Sequence, residues 1–271
     1  MILASATPTV LTLTLVSAVA YALSVTPAVR TRSGLWQVAI LTGWLAQGFT
    51  LALTLWGDGL VQPARFGFAP ALSVTSWLVT AVYVVELRIF PKLQGRWFLG
   101  ALGAATVVLS RVFPGAALAE HAPAWFPLHL ALGVASYGLF AVAVLHAWLM
   151  TRADAHIRHA AQPHTGLPLL TLERLTFRFV EAGFILLSAT LMVAWVLGAS
   201  MNGGHAGWKW DHKTLFSVLS WGTFAGLLLG RARLGWRGKR AIRVLYVGAG
   251  LLLLAYVGSR FVLEVVLGRV T

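Results

Sequence analysis

Residues 126–150 read FPLHLALGVASYGLFAVAVLHAWLM, and this stretch decides the fold class of the chain. It contains no Asp, Glu, Lys or Arg, and it exceeds the roughly 20 residues that a helix needs to cross a bilayer. Similar apolar runs recur along the chain, which is 58% hydrophobic and 11% charged, whereas an ordinary soluble domain carries about 25% charged residues. We therefore predict an all-α, polytopic integral membrane protein.

The distribution of basic residues predicts how this protein crosses the membrane. Apolar runs indicate about eight transmembrane helices, at residues 8–27, 36–56, 69–87, 97–113, 126–150, 179–199, 213–230 and 243–262. The first, third, fifth and seventh connections are rich in Lys and Arg, and the seventh reads RARLGWRGKRAIR. Because cytoplasmic connections are enriched in these residues, both termini are predicted to lie on the outer (periplasmic) side.

No connection is long enough to form a soluble domain, so residues 1–271 are predicted to form a single transmembrane helical domain. The longest connection, about 151–178, is hydrophilic, and we expect a short interfacial helix within it. Gly100 and Gly103 suit close packing of helices in lipid. The net charge of +13 is distributed over short clusters between apolar runs, which indicates topology signals and not a nucleic-acid surface. The absence of cysteine excludes disulfides and cofactors held by thiolates.

Polar and aromatic residues gather at 205–221, which read HAGWKWDHKTLFSVLSW. One interpretation is structural: Asp211 caps the seventh span, Trp208 and Trp210 belong to an interfacial aromatic belt, and Lys213 extends toward water. The alternative is a ligand site, and on the residues alone both interpretations remain open.

Histidines on the predicted outer side favour the ligand site. His129 opens the fifth span on the same side as His121, His205 and His212, and histidine is a common axial ligand of haem iron. Gly133 and Ser136 follow His129 on one helical face, and they predict a shallow surface on which a flat ring can rest.

The predicted inner side carries other polar residues. His146 lies about 25 Å from His129 along a helix, so it is expected to be either an interfacial residue or a ligand of a second site. Glu86 and Glu181 are expected to form local ion pairs with Arg88 and Arg178. The acidic residues form no close pair for acid–base catalysis, and no nucleophile or phosphate-loop motif is present. The residues therefore favour binding of a ligand over enzymatic catalysis.

Three segments resemble the cytochrome c assembly family of membrane haem-handling proteins, of the CcsA/HemX type. They are GWKWDHKTLFSVLSW (207–221), GWRGKRAIRVLYVGAGLLLLAYVGSRF (235–261) and LHLALGVASYGLFAVAVLHAWLM (128–150). The last resembles the family helix that carries an external haem-ligating histidine, and the whole chain looks most like the short YpjD-like bacterial inner-membrane members. The resemblance covers most of residues 125–262.

The resemblance implies haem held at the outer face, between two external histidines and against a tryptophan-rich segment. His129 matches the first external histidine, and the tryptophan-rich motif is matched by Gly207, Trp208, Trp210, Asp211 and Lys213. The chain has His212 where the motif usually has proline, and Thr214 where it has glutamate. The family's second external histidine has no counterpart, so His212, with His205 in reserve, is the predicted second iron ligand.

The resemblance therefore predicts a haem-binding or haem-handling protein of cytochrome c biogenesis in the bacterial inner membrane. Haem is the predicted cofactor, and apocytochrome c or another membrane protein is the predicted partner. The alternative is a membrane accessory protein on the same scaffold that does not handle haem and works with another membrane protein or a transporter.

Overall fold

A computed structural model describes residues 8–56, 65–90, 96–117, 126–158, 168–201 and 211–267, and these are almost entirely helical. The helices are α1 (Pro8–Val25), α2 (Pro27–Arg30), α3 (Ser33–Trp56), α4 (Phe68–Ile89), α5 (Arg96–Val112), α6 (Phe126–Arg158), α7 (Leu169–Met201), α8 (His212–Leu234) and α9 (Gly238–Leu253). The helix of α9 continues through the π-helical segments Leu254–Gly258 and Val262–Val266, which flank the short α10 (Ser259–Phe261). Strands β1 (Arg65–Phe66) and β2 (Ala116–Ala117) form an antiparallel pair.

The helices confirm the prediction of an all-α, polytopic membrane protein. Within the described ranges, seven helical spans are long and apolar enough to cross a bilayer, and α5 is a shorter apolar helix of 17 residues. Each predicted span overlaps a helix, although α6 and α7 are much longer than the spans predicted for them. The number of true crossings, the side on which the termini lie and the single-domain organisation stay predictions.

The described residues divide into two compact units, of which the first lies within 1–85, 95–120 and 260–271. Its helices are joined by buried polar side chains: Tyr21 donates to Gln47 Oε1 at 2.7 Å, and Gln47 Nε2 donates to the Ser73 carbonyl at 3.0 Å. Small residues bring α5 against α1, because a Cβ at Gly100 would lie 2.1 Å from Ser24 Oγ. The predicted role of Gly100 in close packing is confirmed.

The second unit lies within residues 86–94 and 121–259, and its core is centred on one aromatic pair. The rings of Phe140 in α6 and Phe224 in α8 stack with their centroids 3.8 Å apart and their planes within 8°. Glycines on two other helices make room for these rings. A Cβ at Gly183 in α7 would lie 3.1 Å from Phe140, and one at Gly248 in α9 would lie 2.9 Å from Phe224. This packing holds α6, α7, α8 and α9 together.

Helices α6 and α7 extend well beyond their predicted inner ends. The described parts of the predicted connection 151–178 continue these two helices, so the expected separate interfacial helix is wrong there; residues 159–167 lie outside the described ranges. The extensions are amphipathic and bury Ala153, Leu172 and Phe177. Each helix has 33 residues, and at 1.5 Å per residue each is about 50 Å long, against a hydrocarbon core of about 30 Å.

Candidate functional site

His129 lies in the first turn of α6, and its imidazole is half-buried against α7. Its Nδ1 is 3.2 Å from the backbone carbonyl oxygen of Thr190. Because a carbonyl oxygen only accepts hydrogen bonds, this contact places the proton on Nδ1 and leaves a lone pair on Nε2. Among the described residues, Nε2 has no hydrogen-bond partner. Metal-binding histidines commonly have this arrangement, in which one ring nitrogen donates to a carbonyl and the other binds the metal.

The face of α6 that follows His129 is packed against α7 and is not an open surface. Ser136 is fully buried, and its hydroxyl donates to the Gly133 carbonyl at 2.8 Å. A Cβ at Gly133 would lie 3.6 Å from Thr190 Cγ2, which is ordinary van der Waals distance. The expected shallow shelf on this face is therefore wrong, because α7 occupies the space in which a flat ring would rest.

Asp211, His212 and Lys213 come together at the start of α8. Asp211 has extended backbone angles, and its Oδ1 accepts from the Thr214 backbone N–H at 2.8 Å, which confirms the predicted helix cap. Partial burial tends to raise the pKa of the Asp211 carboxyl, but hydrogen bonds from Thr214 and the electrostatic influence of the neighbouring Lys213 and His212 side chains outweigh this effect. The pKa of Asp211 therefore lies below its ordinary value, and the cap is ionised at neutral pH.

The described residues include two of the predicted iron ligands, His129 and His212, and the structure shows no contact between them. His212 is exposed as the first residue of α8, whereas the hydrogen-bond partner of His129 is on α7. His205, Trp208 and Trp210 lie outside the described residues. No group of three or more metal-ligating side chains occurs in the part of the chain that the structure describes. A haem site does not require such a group, because one or two side chains can hold haem iron.

Trp221 of α8 connects this helix to α7. Its indole N–H donates to Ser188 Oγ at 2.9 Å, and its ring stacks on Phe184 with centroids 5.5 Å apart. Both partners are on α7, so Trp221 fixes α8 to α7.

Sequence reasoning missed the buried pair of Glu86 and His146. His146 is completely buried, and its Nε2 lies 2.9 Å from Glu86 Oε2. The expectation of an interfacial His146 is therefore wrong, and so is the expected ion pair between Glu86 and Arg88. His146 Nδ1 and Glu86 Oε1 are buried with no hydrogen-bond partner among the described residues. The two residues are 60 positions apart, and no local sequence pattern connects them.

The fold and site define a polytopic helical membrane protein with an oriented imidazole at the end of one helix. Over residues 5–267 the chain matches the cytochrome c assembly protein family, and it belongs to that family. An uncharacterized 28.8 kDa protein of Azospirillum brasilense is 33% identical over 211 residues, which cover 73% of this chain and 76% of that protein.

Two further relatives have informative names. Inner membrane protein YpjD of Escherichia coli K12 is 29% identical over 141 residues, which are 51% of this chain and 52% of that protein. Cytochrome c biogenesis protein CcsA of Prochlorococcus marinus is 32% identical over 90 residues, which are 33% of this chain and 28% of that protein. The match thus spans about half the length of YpjD. No solved structure matches the chain. Together with the seven apolar spans, these relatives confirm the prediction of a multi-pass protein of the bacterial inner membrane.

Proposed function

We propose that this protein binds haem at the outer face of the inner membrane and acts in cytochrome c biogenesis. The observation that carries the proposal is the His129 imidazole, whose Nδ1 is held by the Thr190 carbonyl and whose Nε2 keeps its lone pair. Membership of the cytochrome c assembly family supports it, as does the similarity to a relative named as a cytochrome c biogenesis protein.

The residues at the two helix starts have separate roles in this proposal. His129 binds iron through Nε2, and the Thr190 carbonyl fixes the orientation of its ring. Asp211 holds the first turn of α8 and thereby positions His212 as the second ligand and Lys213 as a positive charge for a propionate. His205 is the alternative second ligand, and Trp208 and Trp210 provide apolar contact with the porphyrin. When bound, the haem would supply the iron that His129 and His212 would hold.

Haem is therefore the proposed cofactor or cargo, and the proposed reaction of this chain is ligation and presentation. The recipient is apocytochrome c or another membrane protein of the same pathway. We further propose that His129 lies on the outer side of the membrane, as the charge pattern of the connections predicts.

A second candidate function is that of an accessory protein on the same scaffold that does not handle haem. The specific observation in its favour is that α7 packs on the Gly133 and Ser136 face below His129. In this case Asp211 is a helix cap, His129 is a residue of the α6–α7 contact, and the protein works through another membrane protein.

A visible spectrum of the full chain, purified in detergent from haem-replete cells, separates the two candidates. The haem proposal expects a sharp Soret band of six-coordinate, low-spin iron, which His129→Ala abolishes or weakens. Added imidazole should partly restore the band in the variant, because it fills the vacated position; this restoration also shows that the variant is folded. Ser188→Ala, which removes the hydrogen bond of Trp221 and no proposed ligand, is the matched control. Wild-type protein that carries no haem and takes none up would leave the accessory function as the better account.

A further inference from the structure

A cavity of about 630 Å³ lies in the second unit where α8 ends and α9 begins. Its lining residues are Glu181, Leu228, Arg231, Ala232, Gly235 and Arg237. The volume is within the range of about 300–1,000 Å³ that is typical of sites for small ligands. From the sequence, the basic run 231–243 needs no explanation beyond its role in setting membrane topology. That role does not require a cavity, so the cavity calls for a separate explanation.

Arg231 is held in one orientation on the wall of this cavity. Its Nη1 lies 3.5 Å from Glu173 Oε1, and its guanidinium carbon lies 3.5 Å from the centre of the Phe177 ring. A guanidinium has five N–H donors in a planar fork, and it binds phosphate oxygens in pairs. Stacking on Phe177 and the ion pair with Glu173 therefore hold the Arg231 guanidinium, a group that can bind phosphate, in place before any ligand binds.

The turn from α8 to α9 places Arg237 at the same cavity. Gly235 has a φ of +65°, and the Trp236 N–H donates to the Gly230 carbonyl at 3.1 Å. The Trp236 ring lies so close to Gly230 that a Cβ there would be 2.5 Å from it. These contacts define the conformation of the tight turn, which ends at Arg237, the residue before the first turn of α9.

The start of α9 adds positive potential beside the two arginines. Arg237 makes no side-chain cap, and the first turn of α9 contains no acidic residue. The N–H groups of a helix start carry partial positive charge and favour an anion.

Glu181 adds a carboxylate to the lining of the cavity, whereas Glu173, which pairs with Arg231, is not among the lining residues. A ligand with only negative charge would be repelled by Glu181, whereas a ligand that carries a phosphate and an ammonium group satisfies all three charged side chains. The cavity also lies at the level of lipid headgroups, because the apolar part of α8 ends at Gly230 and Arg231 begins its basic last turn. We propose that this cavity binds the headgroup of a phospholipid with an amine, with the phosphate at Arg231 and Arg237 and the ammonium at Glu181.

Native mass spectrometry of the full chain, released from detergent with graded amounts of added lipid, tests this proposal. The probes are phosphatidylethanolamine, phosphatidylglycerol and inorganic phosphate. Wild-type protein is expected to retain phosphatidylethanolamine at lower concentration than phosphatidylglycerol. Arg237→Gln should weaken retention of phosphatidylethanolamine about tenfold, because it removes a charge-assisted hydrogen bond to phosphate. Lys239→Gln is the matched control, because it removes the same charge from an exposed neighbour that does not line the cavity.

Glu181→Gln tests the ammonium end of the site. This variant should reverse the preference, with weaker retention of phosphatidylethanolamine and stronger retention of phosphatidylglycerol, because it removes the one carboxylate that lines the cavity among the described residues.

Three results would overturn the proposal. Equal losses in Arg237→Gln and Lys239→Gln would show that general positive charge retains the lipid. An unchanged lipid preference in Glu181→Gln would show that the site does not recognise the amine. Displacement of lipid by inorganic phosphate at equal concentration would identify free phosphate as the ligand. The haem spectrum of Arg237→Gln should match that of the wild type, so failure of this proposal is distinct from failure of the proposed function.

Discussion

The apolar run 126–150 within α6 carries a histidine near each of its ends, and the two lie in opposite environments. His129 at the first end is half-buried, and among the described residues its one hydrogen bond is to a backbone carbonyl, so that Nε2 has no hydrogen-bond partner there. His146 at the other end is completely buried, stacks beside Phe179 and bonds a buried carboxylate through Nε2. In sequence both are single histidines near the ends of one apolar run.

The difference shows that an imidazole acquires its role from the helices that pack around it. A carbonyl orients the ring of His129 and leaves one nitrogen to bind a ligand. A buried carboxyl group bonds the Nε2 of His146, and removal of either partner leaves the other buried without that hydrogen bond. The first arrangement suits exchange of a ligand, and the second suits a permanent contact between helices.

The largest expected effect is all-or-none, and it tests which end of α6 faces outward. A single cysteine at Gly204, in the predicted outer connection, should react with a membrane-impermeant thiol reagent in intact cells. A single cysteine at Leu234, which is 69% exposed at the other end of α8, should not react until the cells are opened. The chain has no cysteine of its own, so the unsubstituted protein is the control. Labelling of the Leu234 cysteine alone in intact cells would invert the topology and move His129 to the cytoplasmic side.

Removal of His146 should cause the largest loss of stability. His146→Ala leaves the Glu86 carboxyl group buried without its hydrogen-bond partner, which costs about 1–3 kcal/mol in addition to the lost packing of the buried ring. Thermal unfolding in detergent, followed by tryptophan fluorescence, measures the loss. The double variant Glu86→Gln/His146→Ala should recover part of it, because a neutral amide is less costly to bury than a carboxylate. A melting temperature of His146→Ala equal to that of the wild type would show that the pair is not a structural contact.

Removal of His129 should affect stability much less than ligand binding. His129→Ala loses one half-buried hydrogen bond, worth about 1 kcal/mol, while the Soret band should disappear. The same fluorescence melt and a visible spectrum on one sample give both values. The comparison of the two histidines breaks down if His129→Ala is as destabilised as His146→Ala, or if folded His146→Ala protein loses the haem spectrum as well.

The smallest expected effect is a dependence of stability on acid pH from Asp211. Its pKa is lower in the folded protein than in the unfolded chain, so its contribution is fully present above the unfolded pKa and is lost as the pH falls through the folded pKa. The contribution is about 0.5 kcal/mol or less, because solvent screens a largely exposed carboxylate. Melting temperatures at graded acid pH should therefore fall slightly less in Asp211→Asn, which still caps the helix. Identical pH dependence in wild type and variant would assign the acid sensitivity to other carboxylates.

Local features of this protein were predictable to within a few residues. The predicted span 69–87 is α4 at Phe68–Ile89, and the predicted cap Asp211 bonds a backbone N–H three residues away. Prediction failed where an element extends beyond the apolar run, as α6 and α7 do at their inner ends. Helical continuity there depends on the burial of side chains such as Leu172 and Phe177, which requires the other helices to be in place.

The sequence by itself determined the class of the protein, the positions of its helices, the cap of α8 and its membership of the cytochrome c assembly family. These features depend on apolar length and on contacts within a few residues of the chain. Only the tertiary structure decided that Thr190 orients His129, that Glu86 pairs with His146 and that Arg231 and Glu181 line one cavity. The physical reason is that a helix in lipid is apolar on nearly all sides, so its hydropathy does not specify which face turns toward a neighbouring helix. The rotation of each helix about its own axis brings residues about 60 positions apart into contact. This rotation is set by the packing of the whole unit.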